Sequence, residues 1–104
     1  MVKAAALLAL ILPSAALAEA PLSAEHQEQL THLVVQDCGS CHGLKLTGGL
    51  GRAITPEALQ GHTVDGLQTI ILDGIPGTAM PPWRPLLTEA EAAWIAAYLL
   101  EVRE

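Results

Sequence analysis

Two cysteines three positions apart, with a histidine directly after the second, constrain this chain more than any other feature. They form the segment Cys38-Gly39-Ser40-Cys41-His42. Thiols at this spacing lie one helical turn apart on the same side, so each can add to one vinyl group of a haem. The next residue can then direct a ring nitrogen at the iron as its proximal ligand. The pattern therefore predicts one covalently bound haem c, attached through Cys38 and Cys41, with His42 as an axial ligand of the iron.

Other uses of a cysteine pair fit this chain less well. A disulfide between residues so close in sequence would constrain almost nothing. A redox-active Cys-x-x-Cys requires a thioredoxin-like strand-helix-strand context, which the sequence does not indicate. A structural zinc site needs four ligands, and no second Cys/His pair at zinc spacing follows.

Residues 1–18 have the pattern of a secretory signal peptide. Lys3 supplies the positive start, residues 4–12 form an apolar run, and Ala16 and Ala18 satisfy the small-residue rule for cleavage. We expect export to the periplasm with cleavage after Ala18, because bacteria attach haem covalently outside the cytoplasm. The alternative, an uncleaved N-terminal anchor, would need a longer apolar run to span a bilayer. No stable membrane insertion is therefore predicted.

Cleavage leaves residues 19–104 as one monohaem domain, expected to be a monomer. Without Lys3, four of the five Lys and Arg side chains remain against eleven Asp and Glu, a net charge of −7. Nucleic acid is therefore not an expected partner, whereas a protein with a basic or neutral docking surface is. The chain has no Phe and a domain this short builds only a weak apolar core, so the haem should serve as the centre of the core. Lys45, Arg52 and Arg84 are candidates to neutralise its propionates, although most such side chains are merely solvated.

The first predicted helix delivers both cysteines to one side. Ser23 is its expected N-cap, and Gly43 lies directly after His42 as a suitable stop. Between them, apolar residues and thiols recur at three- and four-residue spacing, which indicates one helical face: Leu30, Leu33, Val34, Cys38 and Cys41.

Later helices are indicated by their capping residues. Thr55-Pro56-Glu57 predicts a short helical turn. Thr63 or a neighbour begins a longer helix that ends at Gly74. Thr88-Glu89-Ala90-Glu91 is a capping box that begins a last helix, predicted to run to about Val102. No segment alternates like a strand, so we predict an all-α fold of four to five short helices around one haem.

Met80 is the one methionine that remains after signal cleavage. It lies 38 residues after His42, in a proline-rich segment, residues 75–87, that cannot form a regular helix. The prolines restrict the unfolded loop and so lower the entropy cost of ordering it, and Pro81 favours extended geometry at Met80. Since iron needs a sixth partner or an open site, we predict Met80 as the second axial ligand.

Other assignments of the sixth position stay open at this point. Met80 could simply belong to the core. His26, His32 and His62 are alternative ligands, and His62, in the loop before the helix that begins near Thr63, suits that role best. An open position would indicate gas binding or peroxidase-like chemistry.

The three aromatic side chains divide into two groups. Trp83 directly follows Pro82 and lies either against the haem or at an exposed rim, where it would serve in docking. Trp94 and Tyr98 are four residues apart in the last predicted helix. We expect both in the core, packed on the first helix and the haem.

These features together resemble the class-I cytochromes c: an N-terminal helix with Cys-x-x-Cys-His, a later loop methionine and an aromatic-bearing C-terminal helix. Within that class the chain is similar to the NirC (cytochrome c55X) subgroup, small periplasmic monohaem cytochromes encoded with cytochrome cd1 nitrite reductase. The segments that carry this closer resemblance are residues 37–43, 47–51, 55–59 and 74–83.

The resemblance implies one of two roles for the chain. One is single-electron transfer to cytochrome cd1 nitrite reductase in denitrification, and the other is an accessory role in making haem d1 or maturing that enzyme. Catalysis is not expected, because a carrier has both iron positions filled and an enzyme needs one open. In one respect the chain departs from the pattern: Arg52 follows Gly51, where such cytochromes often have proline. The backbone carbonyl that accepts the other ring N–H of the proximal histidine therefore stays open.

Overall fold

The computed structural model describes residues 21–101 of the chain, and this part contains helices and loops but no strand. The all-α prediction is confirmed. The helices are α1 (Ala24–Leu33), α2 (Gly39–His42), α3 (Val64–Asp73) and α4 (Glu89–Leu100), and a π-helical turn, Val34–Cys38, joins α1 to α2. Within residues 21–101, no helix has the length and apolar character needed to cross a bilayer. The expected signal peptide, its cleavage site and Val102 lie outside the described residues.

The N-terminal helical run begins where its cap predicts but is not one regular α-helix. Ser23 Oγ accepts the His26 N–H at 3.1 Å, which satisfies an amide that the first turn leaves free. Further along, the Gly39 N–H donates to the Val34 carbonyl, five residues back. In a regular α-helix, residues five positions apart point about 140° away from each other around the helix axis. The wider π turn instead returns Gly39, which directly follows Cys38, to the same buried side as Val34.

The segment from residue 55 to α3 follows its capping residues closely. The Thr55 carbonyl accepts the Leu59 N–H at 3.0 Å, which makes a hydrogen-bonded turn rather than a regular helix. Thr63 Oγ1 accepts the Gly66 N–H at 3.0 Å and begins α3. Gly74 ends α3 with a positive φ of 66°, the left-handed geometry that glycine adopts without strain.

α4 begins with the capping box that the sequence predicts. Thr88 Oγ1 accepts the Glu91 N–H at 3.1 Å, and the Thr88 N–H donates to Glu91 Oε1 at 2.9 Å. The helix ends at Leu100, where Glu101 turns to extended geometry, two residues before the predicted end.

The core consists of aliphatic side chains from all parts of the described chain. α3 packs along α4, and α1 meets α4 near their first turns. Trp94 and Tyr98 lie at the flank of this core, half-buried, and stack on each other with ring centroids 5.2 Å apart and planes 13° from parallel. The buried apolar residues are Leu30, Val34, Leu46, Leu59, Leu67, Ile71, Leu72, Leu87, Ala92, Ile95, Ala96 and Leu99.

Candidate functional site

A cavity of about 440 Å³ lies beside the core, open to solvent on one side. Cys38, Cys41 and His42 reach it from the N-terminal run, and Met80 reaches it from the proline-rich loop. The four side chains predicted from sequence therefore share one cavity, although two distant segments supply them. The volume is that of a typical cofactor site. The rest of the lining is mainly apolar and includes Leu50, Ile54, Leu59, Leu67, Ile70, Ile71, Ile75, Trp83, Ile95 and Leu99.

Both cysteines lie on the cavity wall, and they form no disulfide with each other. Cys38 is half-buried and Cys41 is exposed. Burial raises the pKa of the Cys38 thiol to about 11, and the neighbouring Asp37 carboxylate adds to the effect. Ser40, between the cysteines, donates its hydroxyl to the Asp37 carbonyl at 2.8 Å, which ties down the turn that carries them.

His42 is held by the glycine-rich loop that follows it. Its Nδ1 lies 2.6 Å from the Arg52 carbonyl oxygen. A carbonyl only accepts hydrogen bonds, so Nδ1 carries the proton and Nε2 keeps a free lone pair for a metal. The carbonyl that the sequence left open is thus that of Arg52. Gly51 packs against the ring so closely that a Cβ there would lie 2.8 Å from His42 Nδ1 and Cε1.

Met80 is half-buried and lies on a loop whose residues are hydrogen-bonded to one another. The Met80 carbonyl accepts the Ile75 N–H at 3.2 Å, and its own N–H donates to Thr78 Oγ1 at 3.3 Å. The Thr78 hydroxyl donates in turn to the Ile75 carbonyl at 2.7 Å. Gly74 lies at the base, where a Cβ would come within 2.7 Å of the Met80 carbonyl oxygen. Glycine is therefore required for the loop to fold back this tightly.

Trp83 lines the cavity and is half-buried, so of its two expected positions the structure favours the one against the cofactor. Its N–H donates to the Ile71 carbonyl of α3 at 3.0 Å. Trp94 and Tyr98 do not line the cavity. The α4 residues that line it are Ile95 and Leu99.

The three alternative histidine ligands lie in different surroundings. His26 Nε2 is 2.8 Å from Glu91 Oε2, so this ring joins α1 to α4. His32 is exposed and lines a separate surface groove with Glu28. Only His62 lines the cavity, from an exposed position.

Of the three basic residues considered for the propionates, only Arg52 lines the cavity. Its Nη2 donates to the Ala58 carbonyl at 3.3 Å. Lys45 is exposed elsewhere. Arg84 is instead bonded to Asp73, with Nε 2.9 Å from Oδ1, and this contact holds the pKa of the Asp73 carboxyl below its ordinary value.

The residues of the cavity fit a covalently attached haem. Two thiols at the attachment spacing and an imidazole with a free Nε2 lie on one wall, and a thioether lies on the loop that forms another part of the lining. The apolar remainder suits the faces of a macrocycle.

Comparison with known proteins identifies the family. A family model described as "Cytochrome C oxidase, cbb3-type, subunit III" matches residues 25–99. "Cytochrome c55X" of Paracoccus denitrificans is 62% identical over 96 residues, which cover 92% of each chain. The chain belongs to the cytochrome c55X family. "Cytochrome c55X" of Pseudomonas aeruginosa is 53% identical over 89 residues, or 86% of this chain and 75% of the relative. A solved "c-type cytochrome NirC" superimposes with a TM-score of 0.73 at 53% identity, covering 76% of this chain and 93% of that one.

A larger enzyme shares a part of this fold. "Dihydro-heme d1 dehydrogenase" of Pseudomonas aeruginosa is 35% identical over 66 residues, which are 64% of this chain but only 13% of the enzyme. The structure "Dihydro-heme d1 dehydrogenase NirN in complex with DHE" superimposes with a TM-score of 0.66 at 33% identity, over 70% of this chain and 16% of that one.

Membership of the cytochrome c55X family confirms the resemblance inferred from the sequence, and with it the cofactor, a covalently bound haem c. Sequence reasoning did not identify the Arg52 carbonyl, the packing of Gly51 on the imidazole, or the role of Gly74 at the base of the Met80 loop. The only signal for them was the density of glycines around residues 48–51 and 74–77, which indicates loops but not their contacts.

Proposed function

We propose that this cytochrome c55X is a single-electron carrier of the periplasm, a monomer processed after Ala18 to residues 19–104. Haem c is attached through Cys38 and Cys41, with His42 and Met80 as axial ligands. The observation that carries the proposal is the single cavity in which these four side chains meet, with a mainly apolar lining around them.

A bound haem c supplies the one-electron couple of its iron, and the residues of the chain set how that couple behaves. The Arg52 carbonyl orients the His42 ring and makes it a more basic ligand. The bonded loop presents a neutral thioether, which favours the reduced iron relative to a second histidine. With both axial ligands supplied by the chain, no position remains for a substrate, so electron transfer is the function that this arrangement supports.

Cytochrome cd1 nitrite reductase is the partner we propose for that electron. The support is the close similarity to proteins named cytochrome c55X and NirC, together with the rim of the cavity. Leu50 is 95% exposed and Ile75 is 44% exposed, and residues 75–83 contain no charged side chain. An apolar rim on an otherwise acidic molecule suits the small, short-lived contacts of redox partners, in which charge mainly sets the association rate.

Stopped-flow oxidation of the reduced cytochrome by cytochrome cd1 nitrite reductase tests this role. The reaction should be fast and should change with salt concentration. Leu50→Ser, at the rim, should slow it about threefold or more, the effect of losing one apolar contact at an interface. Leu86→Ser is the matched control, because Leu86 is also exposed, at 73%, but does not line the cavity. Equal rates for the two variants would contradict docking through this rim, and a rate no faster than that of an unrelated acidic cytochrome would contradict the carrier role.

An accessory role in haem d1 biosynthesis is the second candidate, favoured by the similarity to dihydro-heme d1 dehydrogenase. A dehydrogenase removes two electrons from its substrate, and a one-electron carrier would accept them in two separate steps. A strain without the cytochrome would then make nitrite reductase with incomplete haem d1. Reductase with complete haem d1 from that strain would exclude this role and leave the carrier role as it stands.

A further inference from the structure

The loop that bears Met80 begins and ends at the same turn of α3. At its start, Gly74 donates its N–H to the Ile70 carbonyl at 2.8 Å. At its end, the Trp83 N–H donates to the Ile71 carbonyl and the Arg84 N–H donates to the Leu72 carbonyl, both at 3.0 Å. The last carbonyls of a helix have no partner within it, so the returning loop caps α3 as it closes.

The side chain of Arg84 holds the end of this loop to two helices. Its Nε donates to Asp73 Oδ1 at 2.9 Å, and its Nη1 lies 3.6 Å from Glu89 Oε1. Asp73 is the last residue of α3, where a carboxylate is unfavourable beside the negative end of the helix dipole. Arg84 compensates that charge and also reaches Glu89, the first residue of α4. It therefore joins the end of α3, the closing end of the loop and the start of α4.

The chain between Arg84 and Met80 is short and stiff. It consists of Pro81, Pro82 and Trp83. Proline locks its own φ, and Trp83 is half-buried against the core. The backbone between Arg84 and Met80 therefore has few freely rotating torsions, so a displacement of Arg84 also moves Met80.

We propose that Arg84 is a positioning residue for Met80, which, by binding Asp73 and Glu89, sets the fraction of molecules in which the thioether is on the iron. The inference rests on the proposed ligation by His42 and Met80. Arg84 itself does not line the cavity, so it acts through the loop and not by contact with the haem. Since its side chain and that of Asp73 are about half exposed, at 52% and 50%, the pair contributes little to global stability. We therefore expect the ion pair to control how often the Met80 loop opens locally.

Imidazole binding to the ferric holoprotein measures that opening. Imidazole reaches the iron only where Met80 has left it, so the apparent dissociation constant is the intrinsic constant divided by the displaced fraction. Arg84→Ala and Asp73→Asn should each lower the apparent constant about threefold, the scale of one modest surface ion pair. Arg84→Lys keeps the charge without the planar fork and should fall between wild type and Arg84→Ala. Asp65→Asn, an exposed carboxylate at the other end of α3, is the control and should change nothing.

The same titration in a Met80→Ala background separates the role of Arg84 from the proposed ligation by Met80. There the iron is already open, so adding Arg84→Ala should leave imidazole affinity unchanged. If Arg84→Ala still tightens binding, or if it acts no more strongly than Asp65→Asn in the Met80 protein, the positioning role is overturned. If Met80→Ala binds imidazole no more tightly than wild type, the proposed axial ligand fails instead.

Discussion

His42 and Met80 reach the same cavity with different degrees of constraint. The imidazole is held by one short hydrogen bond, 2.6 Å to the Arg52 carbonyl, and by Gly51, where any side chain would collide with the ring. The thioether makes no hydrogen bond to any residue of 21–101, and its position depends on the hydrogen bonds of its loop. The His42 ring is thus held by its own contacts, whereas the Met80 side chain is positioned only through its loop.

Met80→Ala tests the proposed sixth ligand of the iron. Oxidised wild-type protein should show the weak far-red sulfur-to-iron charge-transfer band, and the variant should lose it. The reduction potential should fall by part of the roughly 0.8 V range that axial ligands span. His62→Ala is the control, because His62 is the one alternative histidine on the cavity wall. A wild-type protein that lacks the band, with a potential that survives Met80→Ala but changes in His62→Ala, would assign the sixth position to His62.

At the scale of helices, Glu91 joins the start of α4 to α1. Its Oε1 accepts the Thr88 N–H at 2.9 Å, and its Oε2 lies 2.8 Å from His26 Nε2. The pKa of Glu91 is held below its ordinary value, first by the hydrogen bond from the Thr88 backbone and then by that from His26. A single carboxylate therefore caps one helix and ties it to another.

Glu91→Gln should destabilise the protein more at neutral pH than in acid. A carboxyl whose folded pKa is lowered stabilises the fold above its unfolded pKa, near 4.5, and loses that contribution as pH falls through the folded value. Since Gln can still complete a capping box, only the charge is removed, at a cost of about 1 kcal/mol. Guanidinium unfolding at pH 7 and at pH 3 measures the difference, with Glu28→Gln, an exposed carboxylate of α1, for comparison. A deficit of equal size at both pH values would show that the carboxylate charge is not responsible.

The whole molecule is organised around the cavity more than around a dense protein core. Leu59, Leu67, Ile71, Ile95 and Leu99 belong to the buried cluster and also line the cavity. The chain has no Phe, and two of its three aromatic residues stack at the flank. A domain of this size is only marginally stable on its own apolar burial, so haem c is expected to complete the core.

Intact-mass and unfolding measurements test this dependence. Protein recovered from the periplasm should begin at Glu19 and carry one haem. Cys38→Ala together with Cys41→Ala should remove the covalent haem and most of the helical circular dichroism, because the cavity walls lose their shared contact. Ser40→Ala keeps both thiols and should retain haem and fold. A retained Met1 would contradict signal cleavage, and a well-folded double variant would contradict the structural role of the cofactor.

Short-range patterns were enough to predict most of the elements and to select four side chains that the structure places in one cavity. Ser23, Thr63 and Thr88 cap the helices they were expected to cap, because a cap involves only a residue and its neighbours three positions on. The Cys-x-x-Cys-His segment likewise carries its chemistry in its own spacing. These features are local, so the linear order of residues is sufficient to determine them.

Tertiary structure alone decided which distant groups meet. The π turn before Cys41 depends on what Gly39 and Val34 pack against. The choice of the Arg52 carbonyl for His42, and of Asp73 and Glu89 for Arg84, depends on how loops and helices pack in three dimensions. None of these contacts follows from spacing, because a side chain or carbonyl bonds to whatever the fold brings within about 3 Å of it.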